Sequence, residues 1–138
     1  MSPPAALAKQ HFETLAEFRY QMRRFERFSE LAALSEGIAP QQYLLILQVK
    51  GTPGRDWASV GELAQRLQIK HHAAVALVSR CESQGLVRRQ ADEADRRKVQ
   101  VHLTALGQQK LECLAALHRA ELKSLRGVFE VPRIDFAP

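Results

Sequence analysis

The residues that determine the architecture are 59–103, which read SVGELAQRLQIKHHAAVALVSRCESQGLVRRQADEADRRKVQVHL. Ser59 and Glu62 have the spacing of a capping box, and the apolar residues after them predict a helix of about two turns. After a tight connection, residues 71–84 carry the apolar stripe of a second helix, and Gly85 stands at its C-terminal end, where glycine is favoured. Two short helices joined by a tight turn predict a helix-turn-helix.

Two segments with a different periodicity follow the second helix. Residues 86–90 and 98–103 alternate between apolar and polar side chains, or nearly so, which is typical of strands. Residues 91–97 between them are polar and charged. A hairpin directly after a helix-turn-helix is a wing, so we expect a mainly α fold with a small β-hairpin wing, an α+β winged helix-turn-helix. The alternative for residues 91–98 is a solvated turn.

Longer helices are predicted on both sides of this unit. Apolar residues recur in steps of three or four over residues 7–35, with one longer gap, which predicts an amphipathic helix. This stripe either packs inside its own chain or partly meets a second subunit. Residues 40–50 predict a short buried helix, Thr104 caps a last helix over 104–127, and the tail 128–138 is expected to be irregular.

The charge distribution points to a nucleic-acid partner. The chain has 138 residues, enough for one domain, and a net charge of +5. Residues 61–100 contain eight Lys and Arg against five acidic residues. This segment therefore holds more than half of the net positive charge of the chain. A localised basic surface is the expected electrostatic feature of a DNA-binding protein.

Other classes are disfavoured by what the sequence lacks. Apolar runs are too short to span a bilayer and the N-terminus has no signal-peptide pattern, so we expect a cytoplasmic protein without a membrane partner. Cys81 and Cys113 have no C-x-x-C spacing and are expected to be free thiols. His71 and His72 diverge by about 100° on a helix, so no metal site is expected. No phosphate loop, nucleophile elbow or catalytic constellation is present, so we expect neither an enzyme nor a cofactor.

The order of elements and four local signatures resemble the MarR family of transcriptional regulators. Residues 59–67 resemble the first helix of the family's reading unit, and residues 75–89 resemble its recognition helix leading into the wing. Residues 95–97 resemble its D-x-R wing tip, and residues 103–107 resemble its L-T-x-x-G entry to the last helix. The resemblance extends over about residues 10–127 and is carried by the order and spacing of these pieces.

The resemblance implies a homodimer whose subunits each place one helix and one wing on DNA. Together with the long apolar stripes, it implies a single domain over 1–138, with 7–35 and 104–127 as dimerisation helices and 59–103 as the DNA-binding lobe. Lys70-His71-His72 stands where the family usually has small hydroxyl residues, so operator preference does not transfer. The chain also ends sooner after the last helix than is usual in the family.

The candidate DNA-binding residues lie on the predicted recognition helix, at helix starts and on the wing. First-turn side chains are expected to contact bases, helix starts and cations to contact phosphates, and the wing arginine to enter the minor groove. By resemblance, Asp95 orients an arginine and Arg97 is the wing arginine. For His71 and His72, capping of the helix without base contact is the alternative. The full set is Ser59, Lys70, His71, His72, Ala73, Ala76, Ser79, Arg80, Asp95, Arg96 and Arg97.

We therefore expect a sequence-specific double-stranded DNA-binding transcriptional regulator, a ligand-responsive repressor acting as a homodimer. A small aromatic effector bound between the dimer helices and the reading unit would alter the spacing of the two recognition helices. Phe12, Phe18, Tyr43 and Trp57 are candidates for such a pocket, with core packing as the alternative. The alternative function is a winged-helix protein-interaction module that does not bind DNA, because fold does not fix function.

Overall fold

Five helices and three short strands are found in the computed structural model, which describes residues 6–127 and 130–133. The predicted mainly α fold with a helix-turn-helix, a hairpin and long flanking helices is confirmed. Of the predicted irregular tail, 128–129 and 134–138 lie outside the described residues, and 130–133 contain neither helix nor strand. In chain order the elements are α1 (Lys9–Ser35), α2 (Pro40–Lys50), β1 (Trp57–Ser59), α3 (Val60–Leu67), α4 (His71–Ser83), β2 (Val87–Ala91), β3 (Val99–Leu103) and α5 (Ala105–Ser124).

Local chemistry fixes the starts of α3 and α5. The Ser59 hydroxyl accepts a hydrogen bond from the Glu62 amide (3.1 Å), and the Glu62 carboxylate accepts one from the Ser59 amide (3.1 Å), which completes the predicted capping box. Thr104 caps α5 by accepting from the Gly107 amide (3.0 Å). The last helix ends at Ser124, three residues before the predicted boundary.

The sheet has one strand more than predicted. β1 pairs antiparallel with β3, opposing Trp57 to His102 and Ser59 to Gln100, so that the strand order is β1-β3-β2. A strand of three residues is too short to show alternation in sequence. Because β2 pairs with β3 alone, the wing is an antiparallel ribbon with one free edge.

The core surrounds α2, which contributes Leu45, Ile46 and Val49 as fully buried side chains. All of the other elements that follow it add to the same cluster. By contrast, α1 adds only Ala32 and Ala33 to the buried apolar residues of the described chain. Most of the predicted stripe of α1 therefore lies outside the core of its own chain.

Several large apolar side chains on α1 and α5 are exposed to solvent. On α1, Phe12 is 54% exposed, Leu31 51% and Leu34 59%, and on α5 Leu122 is 48% exposed. This apolar surface does not form a membrane span: within 6–127 and 130–133, no helix is long and apolar enough to cross a bilayer. Exposed apolar surface of this kind is typical of an interaction site.

Candidate DNA-binding surface

Helix α4 has one buried face and one exposed face. Its buried residues are Ala74, Leu77, Val78 and Cys81, and burial raises the pKa of the Cys81 thiol to about 11. Cys81 is therefore an unreactive core thiol. Val75, an apolar residue within the helix predicted over 71–84, is 38% exposed, so the buried face is narrower than the apolar pattern of that segment indicates.

The predicted reading residues of α4 occupy its exposed side. Lys70 is the N-cap residue, Ala73 is half-buried, and the remaining α4 candidates are solvent-exposed. A helix that buries one face and offers the other is suited to lie in a groove, because its backbone bonds are complete without the ligand. The exposed candidates on α4 are His71, His72, Ala76, Ser79 and Arg80.

A single aspartate organises the tip of the wing. Asp92 Oδ1 accepts hydrogen bonds from the backbone amides of Ala94 (2.8 Å) and Asp95 (3.1 Å), and its Oδ2 accepts one from Gln100 Nε2 (3.3 Å). These bonds, the Ala94 amide first, lower the pKa of Asp92. Asp92 was not among the predicted site residues, although an aspartate at the start of a turn is a recognisable signal.

Asp95 and Arg97 form a second contact at the tip. Asp95 Oδ1 accepts from the Arg97 amide (3.0 Å) and from Arg97 Nε (3.3 Å). The Arg97 side chain nevertheless stays 92% exposed, and Arg96 beside it is exposed too. The aspartate thus binds the backbone amide and Nε of the arginine and leaves the two terminal nitrogens of the guanidinium in solvent.

Arg89 on β2 joins the wing to α4, and it was not among the site residues predicted from sequence. Its backbone amide and its Nη1 donate to the two oxygens of Glu82 (3.0 and 2.9 Å). Its Nη2 donates to Ser79 Oγ (2.8 Å) and to the Val75 carbonyl (3.3 Å). The bonds from Arg89 to Glu82, the backbone amide first, lower the pKa of Glu82. We call Val75, Ser79, Glu82 and Arg89 the Arg89 cluster; it engages the hydroxyl of Ser79, a predicted DNA contact.

A cleft of about 400 Å³ separates the wing from the starts of α3 and α4. It brings together the predicted residues Ser59, His71 and Arg97 with two further cations, Arg89 and Lys98. Ser59 is half-buried and its hydroxyl is already used in the capping box. Arg80 and Arg96 are exposed but are not among the residues that line this cleft.

A second cavity of about 400 Å³ lies between α1, α2 and α5 and is almost entirely apolar. Tyr43 and the buried His118 stack at this cavity with ring centroids 4.7 Å apart. His118 Nδ1 lies 2.7 Å from the Leu114 carbonyl, so it carries the hydrogen, and Nε2 lies 2.8 Å from Ser29 Oγ. Arg119 lines the same cavity and is exposed.

Of the four aromatic candidates for an effector pocket, Tyr43 alone lines this apolar cavity. Phe12 is largely exposed, and Phe18 lines a separate groove beside Glu130 and Pro132. Trp57 lies on β1, with the Arg55 guanidinium 4.1 Å from its ring centroid. His118 was not predicted, because a lone histidine on a leucine-rich helix gives no sequence signal.

The fold and the arrangement of α3, α4 and the β2–β3 ribbon define a winged helix-turn-helix protein. Residues 36–98 match the model of the MarR family. A putative transcriptional regulatory protein for the hcr operon of Thauera aromatica is 29% identical over 105 residues, which are 76% of this chain and 60% of the relative. The resemblance to the MarR family predicted from sequence is thus confirmed for the winged helix-turn-helix unit.

Solved structures extend the likeness in fold to most of the chain. AbsC, a MarR family transcriptional regulator from Streptomyces coelicolor, has a TM-score of 0.74 at 22% identity, over 92% of this chain and 85% of AbsC. Sco3205 from the same organism, in complex with DNA, has a TM-score of 0.76 at 21% identity, over 96% and 82%. The Staphylococcus aureus MepR–DNA complex has a TM-score of 0.69 at 16% identity, over 88% and 85%.

Proposed function

We propose that this chain is a sequence-specific double-stranded DNA-binding transcriptional regulator. One observation carries the proposal: α4 and the wing are neighbouring, projecting elements whose exposed sides both carry cations. Two structures with the same fold are complexes with DNA, which supports a duplex as the partner.

Each exposed candidate then has a role. His71, His72, Ala73 and Ala76 face the bases of the major groove, where imidazole can hydrogen-bond and alanine can contact a thymine methyl. Lys70 and the α3 N-terminus at Ser59 contact phosphates, and Arg80 contacts a base or a phosphate. Arg97, held by Asp95, enters the minor groove with Arg96 beside it. Ser79 accepts a hydrogen bond from Arg89 and so helps to position the wing. It contacts a base only if a bond to DNA replaces the one to Arg89.

The test is selection of bound duplexes from a random pool, followed by salt-titrated binding of the selected sequence. We expect two related half-sites about one helical turn apart and an affinity that falls steeply with salt. A pool without enrichment, together with salt-independent weak binding, would favour the protein-interaction module instead.

We also propose that the chain acts as a homodimer through α1 and α5. The exposed apolar residues of these two helices support it, because a monomer would leave Phe12, Leu31, Leu34 and Leu122 in water. A dimer would carry two winged helix-turn-helix units and contact two half-sites of the DNA. Light scattering at micromolar concentration should give twice the chain mass; a monomer at that concentration contradicts the proposal.

The regulator is further proposed to be a repressor, located in the cytoplasm, that responds to a small aromatic effector. The apolar cavity beside Tyr43 and His118 supports the effector, since it lies between the helices proposed to dimerise and α2, which packs on α3 and α4. A panel of small aromatic acids and phenols should contain one that raises the melting temperature and releases the selected duplex. The control is Leu44→Trp, which fills the cavity mouth; an effector that acts equally on this variant binds elsewhere.

A further inference from the structure

We propose that Arg89 is a positioning residue that fixes the wing against the recognition helix α4, and that Glu82 holds it there. The inference rests on the proposed DNA binding, because the orientation of a wing matters to a protein that places helix and wing into neighbouring grooves. Its basis is the Arg89 cluster, in which one β2 residue bonds three residues of α4.

The surroundings of Arg89 differ from those of the other wing cations. The Arg89 side chain is 28% exposed, against 92% for Arg97. Its neighbour Arg88 is exposed and donates from Nη1 to Gln90 Oε1 within its own strand (2.7 Å). Arg88 and Arg89 therefore carry the same charge one residue apart, but Arg89 alone of the two bonds to α4. Because its guanidinium already donates to three acceptors of this chain, Arg89 is poorly placed to act as a reader of DNA.

The geometry restrains the strand as well as the side chain. The two oxygens of Glu82 accept from the backbone amide and from the guanidinium of the same residue, so they fix the position of β2 and the direction of Arg89 together. Charge-assisted bonds of this kind are stronger than neutral ones. Because β2 is an edge strand with β3 on one side only, these bonds tie its other side to α4.

The critical variant is Glu82→Gln, because charge and positioning predict opposite results for it. Removing a negative charge beside DNA should tighten binding if long-range electrostatics alone matters. If the Arg89 cluster positions the wing, the variant should instead bind the selected duplex about three- to tenfold more weakly, since an exposed ion pair contributes modestly. The matched control is Glu93→Gln, which removes the same charge from an exposed site at the wing tip and should bind as tightly as the parent or slightly more so.

Hydrogen exchange of the β2–β3 amides in the DNA-free dimer supplies a readout that does not depend on DNA. Faster exchange is expected in Glu82→Gln and in Arg89→Ala, while Arg88→Ala should leave it unchanged. Tighter or unchanged DNA binding by Glu82→Gln, or equal exchange in Arg88→Ala and Arg89→Ala, overturns the proposal. If the parent protein binds no duplex, the proposed function fails, and the exchange comparison still decides whether Arg89 positions the wing.

Discussion

The winged half of the molecule (α3, α4 and the β2–β3 ribbon) and its helical half (α1 and α5) differ in how many of their contacts are completed within one chain. In the winged half, charged side chains at the wing's turns have partners within the chain: Asp92 is bonded at the tip, Asp95 contacts Arg97, and Glu82 pairs with Arg89. In the helical half, α1 and α5 keep large apolar side chains in solvent. The polar contacts of the winged half are thus completed within one chain, whereas the long helices leave apolar surface exposed, which is the basis of the proposed dimer.

The largest expected effect comes from charging the helical half. Replacing Leu31 and Leu34, which are 51% and 59% exposed, by Glu should weaken self-association by at least about a hundredfold, because four buried charges would enter each dimer. Sedimentation velocity measures this change, and circular dichroism should show the helical content of the parent. Val75→Glu, a single charge at an exposed apolar residue of α4 outside the two helices proposed to dimerise, is the control and should self-associate like the parent. A dimer that survives the double change would place the interface elsewhere.

The next effect concerns the contact between the start of α5 and the turn before β2. A Cβ at Gly107 would lie 2.0 Å from the carbonyl oxygen of Leu86, so the start of α5 approaches the turn before β2 too closely for any side chain. Gly107→Ala should therefore lower the free energy of unfolding by about 2 to 3 kcal/mol, in the range of overpacked cores. Urea denaturation measures the change.

Gly61→Ala is the matched control for that variant. Gly61 lies in α3, and a Cβ there meets open space among the described residues. The exchange should stabilise the protein by about 0.5 to 1 kcal/mol, because alanine is the better helix former. Equal stabilisation by the two exchanges would show that helix propensity, and not the close approach to Leu86, determines the result.

A smaller effect is expected at the tip of the wing. Arg97→Ala should lower the affinity for most duplexes by about tenfold and reduce the slope of log affinity against log salt by about one, as expected for one lost phosphate contact. Anisotropy titrations at several salt concentrations measure both quantities. Arg27→Ala removes another exposed cation, from α1, and should leave the slope unchanged. An unchanged slope in Arg97→Ala would mean that the wing tip stays off the DNA.

Much of this architecture could be predicted because its signals are local. The capping box at Ser59 and Glu62, the cap at Thr104 and the glycine after α4 each depend on residues a few positions apart. The L-T-x-x-G segment now has a physical reason as well: Thr104 caps the helix, and Gly107 permits the close contact with Leu86. Local chemistry of this kind is visible in a single sequence.

The parts that could not be predicted depend on contacts across the fold. Glu82 and Arg89 are joined across a turn that places α4 beside β2, and no periodicity reveals the pair. His118 meets Ser29 across 89 positions, and the strand at Trp57 is recognisable only from its partner. The DNA contacts of the candidate residues stay predictions, because they depend on a ligand and not on the chain alone.

The smallest expected effect is a pH dependence confined to the winged half. Hydrogen bonds lower the pKa of Glu82 and of Asp92, so both carboxylates stabilise the wing above the ordinary carboxyl range of about 4 and lose that contribution as the pH falls through their lowered values. The amide resonances of Arg89 and Ala94, which donate to these carboxylates, should therefore each titrate below the ordinary pKa range of its carboxyl partner, while resonances of α2 stay constant. Because the shift is downward, the wing should remain attached to α4 throughout the neutral and mildly acidic range. A titration of these two amides at or above the ordinary carboxyl range would mean that the carboxylates are not bonded as described, and the contrast between the bonded wing and the exposed apolar helices would then be weaker.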